Sequence, residues 1–167
     1  YRTDARRDFS LPPTSRTYLE DICDAGLSVI GVGKIWDIFA GVGITESHPT
    51  HGNADGIDTA LRLMDRDFSG LLFLNLVDFD MLWGHRQDAD GYARALSYFD
   101  SRLPEIISKL TDGDLLIITA DHGCDPSDDS TDHTREYVPV IMLGGGVEPR
   151  GMGTLTGFEF VGRTATD

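Results

Sequence analysis

Asp121-His122-Gly123, with His133 close behind in Thr131-Asp132-His133-Thr134-Arg135, brings together side chains able to hold a metal ion. They follow an apolar run, Leu115-Leu116-Ile117-Ile118-Thr119, that reads as a buried strand. Open α/β sheets bind ligands at the carboxyl ends of such strands. A second cluster has the same setting: Leu71-Leu72-Phe73-Leu74-Asn75-Leu76-Val77, then Asp78, Asp80 and His85. Two strand ends each offer Asp and His, a donor set for a hard-to-borderline metal and, with both ends contributing, for two metals. Carboxylate and imidazole without thiolate suit manganese, zinc or iron better than calcium, which prefers an all-oxygen shell. A two-metal site polarises phosphoryl oxygens and stabilises both attacking and leaving groups, so phosphoryl or sulfuryl transfer is the natural chemistry.

The other reactive residues are weaker signals. Asp80 and His85 lie five apart, a spacing that an α-helix does not align on one face as three or four would. A loop tightened by Gly84 is the expected setting; the plainer alternative has Asp80 capping the next helix and His85 packed on Trp83. Gly31-Val32-Gly33-Lys34 resembles a phosphate loop but fails, because Ser28 stands where the first glycine is needed and Ile35 where Ser or Thr is. Lys34 after a strand end could still meet a phosphate as a point charge; by spacing alone it reads as a surface lysine. His48 and His51 sit in a polar stretch and read as solvated. Cys124 is a neighbour of the site, with no second thiol placed to help it bind a soft metal.

Positioning these residues requires alternating elements. Thr14 or Ser15 is expected to cap a helix running to about Ala25, with Gly26 as its stop. Leu27 to Val32 reads as a strand, Gly56 to about Arg66 as a helix, and residues 70–77 as a strand. A long helical pattern from about Asp88 to Leu110 should be kinked or divided at Pro104. Strands at 115–119 and at Val138 to Leu143 follow, and the glycine-rich tail beyond Gly144 has no clear assignment. The alternation predicts an α/β fold, a mostly parallel sheet with helices on both faces.

The 167 residues fit one domain, which at this size buries roughly 70% of its unfolded surface. A formal net charge of −14 argues against nucleic-acid and anionic-membrane partners. No apolar stretch approaches the roughly 20 residues of a membrane span. Cys23 and Cys124 have no paired spacing, and a free thiol pair in a cytoplasmic protein is the plain reading. The polar, methionine-free start and the unterminated end lead us to expect a piece of something larger.

Three stretches together resemble the phosphopentomutases of the alkaline phosphatase superfamily. They are Asn75-Leu76-Val77-Asp78-Phe79-Asp80-Met81-Leu82-Trp83-Gly84-His85, Thr119-Ala120-Asp121-His122-Gly123, and Thr131-Asp132-His133-Thr134-Arg135-Glu136-Tyr137-Val138-Pro139. Val32-Gly33-Lys34-Ile35-Trp36-Asp37-Ile38, Gly43-Ile44-Thr45-Glu46-Ser47, and Arg2-Thr3 with Arg7-Asp8-Phe9 fit the same family, so the resemblance runs from about residue 2 to about 143.

The resemblance implies an incomplete alkaline-phosphatase-like core: residues 1–167 as a partial metal-binding domain without its N-terminal segment and cap. It implies that Asp80, His85 and His133 hold one manganese ion and that Asp121 and His122 belong to the shell of a second, with magnesium or zinc as alternatives. It also turns Lys34, and with it Arg2, into contacts for a sugar phosphate, the small-molecule substrate. The parent would interconvert (deoxy)ribose 1-phosphate and (deoxy)ribose 5-phosphate through a phosphothreonine, in nucleoside catabolism. No threonine here has a nucleophile's setting, so this chain by itself is expected to be inactive. A phosphatase or sulfatase, a cofactor-independent phosphoglycerate mutase, and a non-catalytic metal-binding fragment are the alternative readings; oligomeric state is left open.

Overall fold

The first helix, α1 (Tyr18–Asp24), starts at Thr17 and not at Thr14 or Ser15. Thr17 and Glu20 form a capping box: Glu20 N–H donates to Thr17 Oγ1 at 3.4 Å, and Thr17 N–H donates to Glu20 Oε2 at 2.8 Å. Two otherwise orphaned backbone donors are satisfied there, which Thr14 and Ser15, without a Glu three residues on, cannot arrange. Gly26, at φ 78°, follows the helix end as expected.

The computed structural model describes residues 10–166 and contains two compact units. The first holds the described residues up to Leu76 and those from Gly162 onward; the second is Val77–Val161.

In the first unit, β1 (Ser28–Val32) is the middle strand of a parallel sheet, flanked by β2 (Glu46–His48) and β3 (Gly70–Leu74). A short helix, α2 (Ile35–Ile38), follows β1, and α3 (Asn53–Leu63) joins β2 to β3. Both faces of β1 are covered. Val29 packs with Leu19 and Ile22 of α1 and with Leu71 and Phe73. Ile30 and Val32 face the other way, onto Leu63 of α3, Leu72 and Leu74. Burying Val29, Ile30 and Val32 completely stabilises the unit by roughly 1.5–3 kcal/mol each. The uninterrupted apolar run of β1 is thus the signature of a parallel strand buried on two sides.

Two expectations for this unit need correction. β3 ends at Leu74 and not near Val77, although Asn75 N–H still donates to Val32 O at 3.0 Å. At that point the chains close on each other: Gly33 sits at φ 85°, and a Cβ on it would lie 2.7 Å from Asn75 O. His48 does not lie in a solvated loop. It ends β2, and its Nε2 lies 2.6 Å from Glu46 Oε1.

Glu46 is also gripped by both terminal nitrogens of Arg66, at 2.6 and 2.9 Å. Arg66 first, and His48 after it, hold the Glu46 carboxyl down at about 2. A depressed carboxyl stabilises the fold fully above its unfolded value of roughly 4.3, and that contribution is lost as the pH falls through the folded value. Because the side chain is about one-third exposed, the effect is that of a surface pair, about 0.5–1 kcal/mol. Glu46→Gln should lower the unfolding free energy obtained from urea titration at pH 7 by this much, with the gap from wild type closing between about pH 4 and pH 2. A gap as wide at pH 2.5 as at pH 7 would contradict it.

In the second unit a π-helical turn, Phe79–Gly84, leads into α4 (Ala89–Ser108). Pro104 does not divide α4, which runs through it with Ala95 and Ile106 buried on one face; tertiary packing offsets the bond that proline withholds. β4 (Leu115–Thr119) pairs with β5 (Val140–Gly144) in antiparallel register, from Leu115 opposite Gly144 to Thr119 opposite Val140. Leu116, Ile118, Ile141 and Leu143 therefore share one face of the ribbon, and with Leu103 and Ile107 of α4 they line an apolar groove. The glycine-rich tail, which sequence patterning leaves unassigned, contains α5 (Glu159–Thr166), whose residues from Gly162 onward belong to the first unit. The fold is α/β with a parallel sheet and helices on both of its faces. Among the described residues no helix is long and apolar enough to cross a membrane.

Candidate metal centre

The π-helical turn answers the spacing puzzle. With one extra residue per turn, positions five apart come onto one face. Asp80 and His85 are such a pair, and His85 N–H donates to Asp80 O at 3.1 Å across that interval. The setting is therefore a wide helical turn in place of the expected loop. Phe79 anchors the turn against Tyr92, with ring centroids 5.2 Å apart, and against Trp83. Asp88, and not Asp80, caps α4, accepting from Gly91 N–H at 2.8 Å.

Asp80 Oδ1 is the focus of the site. It is buried and, among the described residues, has no hydrogen-bond partner. Two imidazole nitrogens nevertheless converge on it, His85 Nε2 at 3.1 Å and His133 Nε2 at 3.2 Å, without hydrogen-bond geometry. His122 joins from the other side, its ring stacked on that of His133 at 3.5 Å between centroids. One donor atom from each of Asp80, His122 and His133 lies within 4.8 Å of the others. A buried, unpartnered carboxylate oxygen facing several imidazoles is costly until a cation satisfies it, so the residues fit a divalent metal.

The ring nitrogens are already sorted. His85 Nδ1 lies 2.5 Å from Thr131 O, and His122 Nδ1 lies 3.0 Å from Gly123 O. A carbonyl only accepts, so each Nδ1 carries a proton and Nε2 is the ring nitrogen left to serve a metal. His133 reaches the centre because Thr134 bridges back to Gly123, its N–H donating to Gly123 O at 3.1 Å. Only glycine fits position 123, since a Cβ would stand 2.7 Å from Thr134 O.

Cys124 packs under the turn, against Gly84, where any Cβ would strike its sulfur. Burial, then the carboxylates of Asp80, Glu136, Asp125 and Asp121, push the Cys124 thiol up. The sulfur remains a protonated packing group, in keeping with its reading as a neighbour.

The second unit thus gathers Asp80, His85, His122 and His133. Asp121 stands beside them, its carboxylate 3.6 Å from His122 Nε2 and three-quarters exposed. Lys34 belongs to the first unit, where it opens α2 just past the carboxyl end of β1. Arg2 lies outside the described residues. Two participants escape a sequence reading altogether: the carbonyl of Thr131, which carries no side-chain signal, and Cys124 as the wedge beneath Gly84.

A family model described as the metalloenzyme superfamily matches residues 17–165. The chain belongs to the metalloenzyme superfamily. This metalloenzyme chain is also similar to curated phosphopentomutases. It is 55% identical to that of Acetivibrio thermocellus over 98% of its own length and 42% of the relative's. Identity to the Carboxydothermus hydrogenoformans protein is 53% with the same coverage, and to the Caldanaerobacter subterraneus protein 57% over 84% of this chain and 36% of that one. The metalloenzyme chain spans about two-fifths of the length of the curated relatives it matches.

Proposed function

We propose that the protein containing this chain is a manganese-dependent phosphopentomutase, interconverting (deoxy)ribose 1-phosphate and (deoxy)ribose 5-phosphate through a phosphothreonine. The observation that carries this reading is identity of 53–57% to curated phosphopentomutases over 84–98% of this chain. In this reading Asp80, His85 and His133 hold one ion, and Asp121 and His122 contribute to a second. Bound there, the metals would polarise phosphoryl oxygens and stabilise charge on the attacking oxygen. The chain's own residues then have clear tasks. Asp80 supplies the charge, Thr131 O and Gly123 O hold two imidazoles in the ligating tautomer, and Lys34 and Arg2 meet the substrate phosphate as cations. The nucleophilic threonine is assigned to the length of the relatives that this chain does not span, so the chain by itself turns over no pentose phosphate. The free Cys23 and Cys124 support a cytoplasmic setting.

The deciding experiment compares three assays on the full-length protein with manganese: ribose 1-phosphate isomerisation, phosphate-monoester hydrolysis and phosphoglycerate interconversion. Isomerisation should dominate, and a faster hydrolysis or phosphoglycerate reaction would overturn the assignment. Clear mutase turnover by residues 1–167 alone would overturn the placement of the nucleophile. Calorimetric titration with manganese should show a site that His133→Ala weakens by more than the roughly 10–100-fold typical of losing an outer-sphere partner.

A further inference from the structure

Gln87 is one of two non-glycine residues with positive φ among those described, at 55°, and it lies two positions beyond His85. Residues held in the left-handed region persist where surrounding structure over-determines them. Its side chain spans a long sequence gap: Nε2 donates to Asp128 O at 2.7 Å.

Asp128 lies in an excursion of the chain, residues 124–133, that leaves Gly123 and returns at Thr134, which Gly123 bridges. Asp125 N–H donates to Thr134 Oγ1 at 2.7 Å and closes the neck. Inside the excursion Asp125 Oδ1 accepts from Ser127 N–H at 2.8 Å, Asp128 Oδ1 from Ser130 N–H at 2.8 Å, and Ser130 Oγ from Asp132 N–H at 3.0 Å. These local turns shape the loop without tying it to anything else. Two side chains from the turn before α4 do that: His85 Nδ1 on Thr131 O, and Gln87 Nε2 on Asp128 O. The loop ends in His133, and the first of these ties is the one that orients His85.

We propose that Gln87 is a positioning residue for the metal centre, its amide pinning the 124–133 loop so that His133 and Thr131 O stand ready before a metal arrives. The inference rests on the ligand assignment proposed above. With the backbone at 87 held in the left-handed region, the amide reaches across to Asp128 O. An Asn there tolerates positive φ but is one methylene too short to reach, and a Gly relieves the backbone and removes the tie entirely.

The test uses Gln87→Gly and Gln87→Asn in the full-length protein, with two readouts. The manganese Kd should rise roughly three- to tenfold in both variants, the lower part of the range for outer-sphere partners. In metal-free protein, amide hydrogen exchange across residues 127–132 should accelerate several-fold, while the melting temperature of Gln87→Gly stays level or rises because the strained backbone is relieved. Unchanged exchange together with an unchanged Kd would overturn the proposal, as would a Kd change that merely tracks a fall in melting temperature. A wild-type protein that binds no manganese, with exchange nonetheless faster in the variants, would sink the ligand assignment and leave the clamp standing.

Discussion

Asn in place of Asp80 is expected to abolish tight manganese binding at the site Asp80 shares with His85 and His133, while leaving the metal-free fold as stable as before, or more so. The carboxylate oxygen at the focus of the site is buried without a hydrogen bond, facing two imidazole nitrogens at 3.1 and 3.2 Å. An unsatisfied buried acceptor costs roughly 1–3 kcal/mol, more when it is charged. Asn keeps the shape, removes the charge, and its Nδ2 can donate to the lone pair of His85 Nε2, which the Thr131 carbonyl leaves free. The same change takes away the only carboxylate in the His-rich cluster of Asp80, His122 and His133. Calorimetry should show manganese affinity reduced by at least about 100-fold, beyond what outer-sphere changes cause, and thermal melts in chelator should show no loss. Retained affinity would mean that the ion is held elsewhere. A melting temperature several degrees lower would mean that Asp80 stabilises the apo fold through contacts other than these. Binding and stability moving in opposite directions is the mark of a residue kept for function at a cost in stability.

Gly84→Ala is expected to be severely destabilising with Cys124 in place and nearly harmless without it. A Cβ at 84 would run into the Cys124 sulfur, whereas the Cys124 Cβ stands 3.9 Å away. Truncating Cys124 to Ala therefore opens the space that the added methyl needs, leaving only the Phe79 carbonyl at 3.0 Å to give way. Overpacking of this kind costs about 1–3 kcal/mol. Urea midpoints of the two single variants and the double variant should show coupling of about 0.5–3 kcal/mol, with the double variant more stable than Gly84→Ala alone. Simple additivity would show that Gly84 is required by the turn's backbone and not by the sulfur. Because the turn carries Asp80 and precedes His85, manganese affinity should fall in Gly84→Ala and recover along with stability in the double variant.

Much of this is legible without coordinates, for identifiable reasons. The strand at 28–32 announces itself because a strand buried on two faces must be almost wholly apolar. The equally apolar run at 115–119 also forms a strand, but as half of an antiparallel ribbon it is only partly covered and not the buried strand its composition suggests. The ends of both mark where ligands gather. Asp80, His122 and His133 can be singled out because carboxylate and imidazole are the donors a divalent metal requires. Sequence starts the first helix a few residues early because Thr14, Ser15 and Thr17 are equally good caps locally; only the Glu20 partner separates them. His48 reads as solvated because three residues, Glu46 to His48, are too few to show any periodicity, so pairing with β1 alone makes them a strand.

The sequence by itself determined the α/β alternation and the chemical identity of the metal-binding side chains, since both follow from residue type and short-range spacing. Tertiary structure alone decided that the five-residue step from Asp80 to His85 is a π-helical turn, because no local propensity favours one, and aromatic packing of Phe79 on Tyr92 with Cys124 under Gly84 selects it. It also decided which nitrogen each histidine offers. That choice rests on the carbonyl groups of Thr131 and Gly123, and a backbone carbonyl is the same at every position until folding brings one of them to a ring.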